Sequence, residues 1–214
     1  MIHVSLALPA WGAEQTQSGA IRVVAESMLA LTAPAASVNG STLHLDLTAI
    51  LLEDAGWQAA EVQRALADAL PILAQCGVAA RQVKLLRVAT PALYRNLSPQ
   101  GSRLLAAHLA PVRPAVFFVR DTRMRPAFDA EAFGLGNTRT RPELAHTVWV
   151  TRSAPDLPET LAHELFHVIA NTGEHSDDAA NLMHERTAPQ RRQLTPRQCA
   201  SLRETGLKNR LLRE

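Results

Sequence analysis

Apolar positions recur along the chain with two different spacings, and the switches between them outline its elements. Leu43, Leu45 and Leu47 alternate with His44 and Asp46, the period of a strand with one face turned inward. Val62, Leu66, Ala69, Leu70 and Leu73 follow at helical spacing, which predicts a helix over 57–75 with a kink at Pro71 and an end at Gly77. Runs at 83–88, 115–119 and 146–151 read as further strands. Between the last two, Ala132-Phe-Gly-Leu-Gly-Asn137 carries glycines that weaken a central strand but suit an edge strand approached by another backbone. Leu161, Leu165, Val168 and Ile169 return to helical spacing in a segment that begins near Leu157. Asp156 is expected to cap it, with Pro158 in the first turn and Glu159 completing a D-x-x-E capping box. Asn171 and Gly173 mark its end, with Gly173 expected to take the left-handed conformation that reverses the chain. Thr195-Pro-Arg-Gln198 announces a last helix over 196–205 that turns Cys199 and Leu202 inward.

Strand, helix, several strands, two helices: the order is that of an α+β chain. At 214 residues and 47% apolar content it can bury a proper core in one domain or in two small lobes. The net charge is only +2, and the arginines are scattered among acids, which argues against a nucleic-acid partner. No run approaches the ~18 apolar residues of a membrane span. Residues 1–40 are less legible: 21–31 reads as a strand or a short helix, and 34–40 as a loop. The opening MIHVSLALPAWGA has the short apolar run and small residues that end a secretory signal, without the preceding Lys or Arg; a loose arm or a propeptide remnant are the alternatives. Two cysteines, Cys76 and Cys199, would pair in an exported protein and serve as small buried apolar groups in a cytosolic one.

The chemistry is concentrated in 156–185. His163, Glu164 and His167 form H-E-x-x-H, and on a helix residues four apart share a face, so two imidazoles can grip one zinc ion. The apolar stripe falls on the opposite side, leaving one face to pack and one to present ligands. The chain reversal after the helix would return His175 toward the ion as third ligand. Glu185, 18 residues beyond His167, is a rival, since some zinc sites take two His and a later Glu; Thr187, Pro189 and Gln190 follow it at once and leave no helix to carry it. Glu174, Asp177 and Asp178 are further alternatives. His3, His44, His108 and His146 have no motif context and are read as structural, and His184 as solvent-exposed.

His175-Ser-Asp-Asp-Ala-Ala-Asn-Leu-Met183 resembles the segment after the zinc helix of metzincin metallopeptidases, especially matrixin-like bacterial ones. In that family the pattern is H-E-x-x-H-x-x-G-x-x-H, and a two-residue insertion before the third histidine brings this chain into line, since it has Ala170 and Gly173 where the family has Gly and His. The resemblance implies a mixed, twisted sheet with a packing helix, a zinc helix, a Met-turn at Met183 and a C-terminal helix, in a catalytic domain over 41–214 with an upper lobe at 41–173 and a small lower lobe at 174–214. It implies Zn²⁺ held by His163, His167 and His175, and an edge strand at Phe133, Gly134, Leu135 and Gly136 that pairs with an extended protein or peptide substrate. Glu164, beside the metal without coordinating it, would be the general base of peptide-bond hydrolysis. A non-catalytic zinc-binding domain of the same fold has no need of that carboxylate, and a zinc hydrolase of non-peptide amides is a third reading. The location expected is secreted or periplasmic, with the cytoplasm as alternative.

Overall fold

The computed structural model describes residues 20–31, 41–124 and 127–214. The expectations for 1–13, and the loop expected at 34–40, fall outside them. In chain order the described residues give β1 (Arg22–Leu29), β2 (Leu43–Leu52), α1 (Ala59–Ala74), β3 (Val78–Ala89), α2 (Pro99–Leu109), β4 (Ala115–Phe118), β5 (Ala130–Phe133), β6 (Thr147–Val150), α3 (Leu157–Ala170), α4 (Pro196–Lys208) and β7 (Leu212–Arg213). The strands form a mixed sheet in the order β1-β3-β2-β4-β6-β5, with β7 pairing β2. The four inner strands are parallel, and β1 and β5 run antiparallel at the two edges.

Parallel neighbours need a crossover, and α1 supplies it between β2 and β3. Pro71 lies inside α1, which runs on to Ala74; Gly77, at φ 69°, then turns the chain into β3. From Leu47 onward β2 is buried on both faces, as a central parallel strand should be; the alternation seen at 43–47 holds only at its exposed start. Phe117 and Trp149, opposite each other on β4 and β6, stack with ring centroids 4.0 Å apart and anchor the inner sheet.

α3 packs against α1, α4, β5 and β6, so it is the hub of the helical layer. Its contact with α4 leaves no room for a methyl group: a Cβ on Gly206 would come within 2.6 Å of Leu212 and 2.9 Å of Ile169. The disulfide between Cys76 and Cys199 ties the end of α1 to α4. Next to it, Gln75 donates to the Arg192 carbonyl at 2.6 Å and accepts from the Leu194 amide at 3.2 Å, so the approach to α4 is stitched to α1 as well.

Several expectations are corrected. α2 falls between the strands at 83–88 and 115–119, where the pattern predicts no element, although Ser98 caps it by accepting from the Gly101 amide and Pro99 opens it. Its buried positions are mostly small, Gly101, Ser102, Leu105 and Ala106, too weak a stripe to read as helix. The N-cap of α3 is not a capping box: Asp156 sits at φ 44° and its side chain caps nothing, and Glu159 is drawn inward to Arg192, whose Nε donates to it at 2.6 Å. The left-handed residue at the other end is Asn171, at φ 49°, and not Gly173. The edge strand lies two residues earlier than expected, at Ala130–Phe133; Phe133 is its last residue and is buried, while Gly134, Leu135 and Gly136 leave the sheet in a turn.

Candidate metal centre

α3 carries His163, Glu164 and His167 toward a cleft of about 440 Å³ beneath β5. Leu161, Leu165, Val168 and Ile169 are fully buried, as the stripe requires, and they fix the roll of the helix about its axis. His163 is buried as well, and only its ring edge reaches the cleft. His167 is half-buried and His175 exposed.

Two backbone carbonyls orient the rings. His163 Nδ1 lies 2.8 Å from the Leu182 oxygen and His167 Nδ1 lies 2.7 Å from the Thr172 oxygen. A carbonyl only accepts, so each Nδ1 bears the proton and each Nε2 turns a lone pair to the cleft. Those two Nε2 atoms are 2.9 Å apart, which sets two lone pairs against each other. The two atoms converge closely enough to share one cation. Burial holds both imidazoles below their usual range, that of His167 down to about 4, with the neighbouring histidines adding to the effect. Neutral rings at physiological pH leave the place for a metal ion.

His175 completes the group: its ring centroid is 5.3 Å from that of His163 and 5.0 Å from that of His167. One nitrogen from each of the three can be chosen so that all lie within 4.8 Å of one another, and these residues could hold a metal ion. Three imidazoles, two of them with Nδ1 bonded to a carbonyl, are a donor set of the kind that holds a transition-metal ion. Among the described residues, no carboxylate joins this group: Glu185 lines the cleft but stands outside it, as do Glu174, Asp177 and Asp178.

The loop that bears His175 is held from three sides. The Ser176 amide donates to the Met183 carbonyl at 2.7 Å, and the Met183 amide donates to Asn181 Oδ1 at 2.9 Å. Asn181 is buried and exchanges two amide hydrogen bonds with Gln198, at 2.9 and 3.0 Å. Gln198 also closes the expected capping box of α4 with Thr195, so one side chain serves both the helix start and the loop. Met183 is buried in the core beneath this loop.

Glu164 faces the same cleft. Burial first, and then the negative charge of Glu131, push its carboxyl up to about 8. Glu131 was missed by the motif reading. It lies on β5 between two alanines, where the only signal was a lone acid in the apolar stretch AEAF. Asn171 was read only as a helix end, yet its side-chain oxygen also accepts from the Leu135 amide at 2.8 Å and the Gly136 amide at 3.4 Å. The glycine turn after β5 is thus docked on the end of α3.

Comparison with known proteins agrees with this geometry at the level of the fold. No family model matches the chain, and no curated protein does. Among solved structures it is similar to the crystal structure of metalloproteinase-II from Bacteroides fragilis, at 17% identity and a TM-score of 0.51. The likeness covers 80% of this chain and 56% of that one, so the chain spans just over half the length of that protein. A metalloproteinase-like fold, with a mixed sheet over a helical layer, carries a trio of histidines that could hold a metal ion.

Proposed function

We propose that the protein is a zinc-dependent endopeptidase of metzincin type, related to the matrixin-like bacterial branch, with two extra residues in the turn before the third histidine. The observation that carries this reading is the convergence of His163, His167 and His175, two of them with their Nδ1 atoms committed to carbonyls, beside a carboxylate that is not one of the group. The extra residues are accommodated because Asn171 makes the reversal and Thr172 holds His167, which leaves Gly173 and Glu174 as plain spacer.

Zinc at the three imidazoles would supply a Lewis acid that acidifies an attacking water and polarises the scissile carbonyl. Glu164 takes the proton of that water as general base and returns it to the leaving amine. Burial and the charge of Glu131 raise this carboxyl in the metal-free protein, and a cation held at the histidines would oppose that shift and favour the carboxylate that a general base requires. β5 offers an open edge on which an extended peptide can pair, and Met183 forms the apolar floor under the ligand loop. The disulfide supports a secreted or periplasmic location, where it would persist. Among the described residues, no helix is long and apolar enough to cross a membrane.

Elemental analysis together with a quenched peptide library tests the proposal. The wild type should hold one zinc per chain and cleave peptides, and Glu164→Gln should retain zinc while losing on the order of 10²–10⁴-fold in kcat/KM. A zinc-loaded wild type inert on every peptide would count against it and for a binding role.

A further inference from the structure

We infer that Glu131 selects the substrate: it receives a positively charged group from a residue flanking the scissile bond, so that the endopeptidase proposed above cleaves next to basic residues. The inference rests on that proposal and extends it.

Glu131 stands on the open edge strand β5 and lines the same cleft as His163, His167 and Glu164. It is half-buried, and among the described residues its carboxylate accepts no hydrogen bond and forms no ion pair within the protein. A half-buried carboxylate on the wall of a cleft, with no ion pair of its own, is a position for a cation that arrives with the substrate. The nearest formal cation that acts on it, Arg141, is engaged elsewhere: its Nη2 donates to the Asn137 carbonyl at 3.1 Å, and its guanidinium lies over the Phe133 ring. Among the described residues, the cleft lining contains no Lys or Arg that could occupy this carboxylate. Because Glu131 shares this cleft with the three histidines and Glu164, the cationic group belongs to a residue close to the reacting bond. A charge-assisted hydrogen bond to a guanidinium or ammonium in this sheltered place satisfies the carboxylate.

The same chemistry is offered by a Lys or Arg side chain and by a free chain terminus. Matched quenched peptides separate them: pairs that differ only in Arg or citrulline at each position flanking the scissile bond, each with a free or an acetylated N-terminus. They are assayed against zinc-loaded wild type, Glu131→Gln and Glu131→Asp, with zinc content measured for every protein. The wild type should prefer arginine over citrulline by roughly 10- to 100-fold in kcat/KM, as a charged hydrogen bond predicts. Glu131→Gln should bring the ratio near one, and Glu131→Asp should keep part of it. A preference that disappears on acetylation alone assigns the cation to the terminus and still supports a cation site at Glu131. A ratio of one in the wild type, or a ratio that survives in Glu131→Gln, overturns the inference. So does a shift of the pH profile common to both peptides with the ratio intact, which would mean that Glu131 acts only through Glu164. Cleavage of the citrulline peptides by wild type keeps the peptidase reading standing when the selectivity fails; a wild type that retains zinc and cuts nothing ends both.

Discussion

His163 and His167 reach the cleft already oriented, because each spends its Nδ1 proton on a carbonyl of the chain that follows the helix. The energy of that arrangement lies in preorganisation: no tautomer has to be changed and no ring turned when a cation arrives. Among the described residues His175 has no such carbonyl partner, and it is exposed, so it is the proposed ligand whose loss can be read cleanly. His175→Ala should lower zinc affinity by at least ~10²-fold and leave the melting temperature of the metal-free protein within about 2 °C of wild type, by competition with a chromogenic chelator and by calorimetry. Glu159 poses the opposite case. Its side chain is only 2% exposed, and Arg192 pairs with it from a more open position. Arg192→Ala should destabilise the fold by about 1–3 kcal/mol by stranding that carboxylate, and adding Glu159→Gln should recover part of the loss in urea titrations.

Elements carry the next layer. The end of α3 and the turn after β5 are joined through one side chain, Asn171, whose backbone is left-handed. Asn171→Gly keeps that backbone at no steric cost and removes only the clamp, so hydrogen exchange at Leu135 and Gly136 should quicken about tenfold while α3 itself stays protected. On the sheet, Asp46 of β2 meets Arg81 of β3 and, at 3.7 Å, Arg213 of β7. The hydrogen bond from Arg81 holds its carboxyl below the usual range, against the opposing effect of partial burial. A carboxyl depressed in the folded state stabilises above its unfolded value and loses that contribution as the pH falls through the folded one. Asp46→Asn should therefore melt lower than wild type by about 1–2 °C at pH 7, with the difference closing below about pH 3. Elements were also where sequence reading was least even. α3 was legible from period and proline, and α4 from period, proline and caps together, whereas α2 hides behind small residues and the cap expected at Asp156 is not made at that left-handed residue. Edge strand β5 was displaced by two residues because its glycines belong to the turn docked on Asn171. Such contacts join residues about 35 positions apart and leave no local trace.

Across the whole molecule, the cluster of three histidines depends on two regions that meet only in the folded state. α3 brings two imidazoles, and the loop that brings the third is gripped by Gln198 of α4. α4 is fastened to α1 by a disulfide whose half-cystines are 123 residues apart. Closing a loop of that length removes unfolded-state entropy worth up to about 5 kcal/mol. Replacing Cys76 and Cys199 together by Ala should cost about 2–5 kcal/mol and weaken zinc binding as well, since the grip on Asn181 loosens with α4; denaturation and chelator competition on one sample check both. The trio His163, His167 and His175 was legible from the motif and the turn after it. The cystine and Glu131 were not, because pairing and cleft charge arise from three-dimensional neighbours that no spacing encodes.

The contact at Gly206 has a bearing on ancestry. With Leu212 and Ile169 pressed against its bare backbone, volume at these three positions is shared, and a bulkier residue at 206 can enter only as one of the others shrinks. Distant homologues that have drifted past recognition in their overall wording should still show compensating substitutions at this triplet, a fingerprint of covariation by which lineage can be traced.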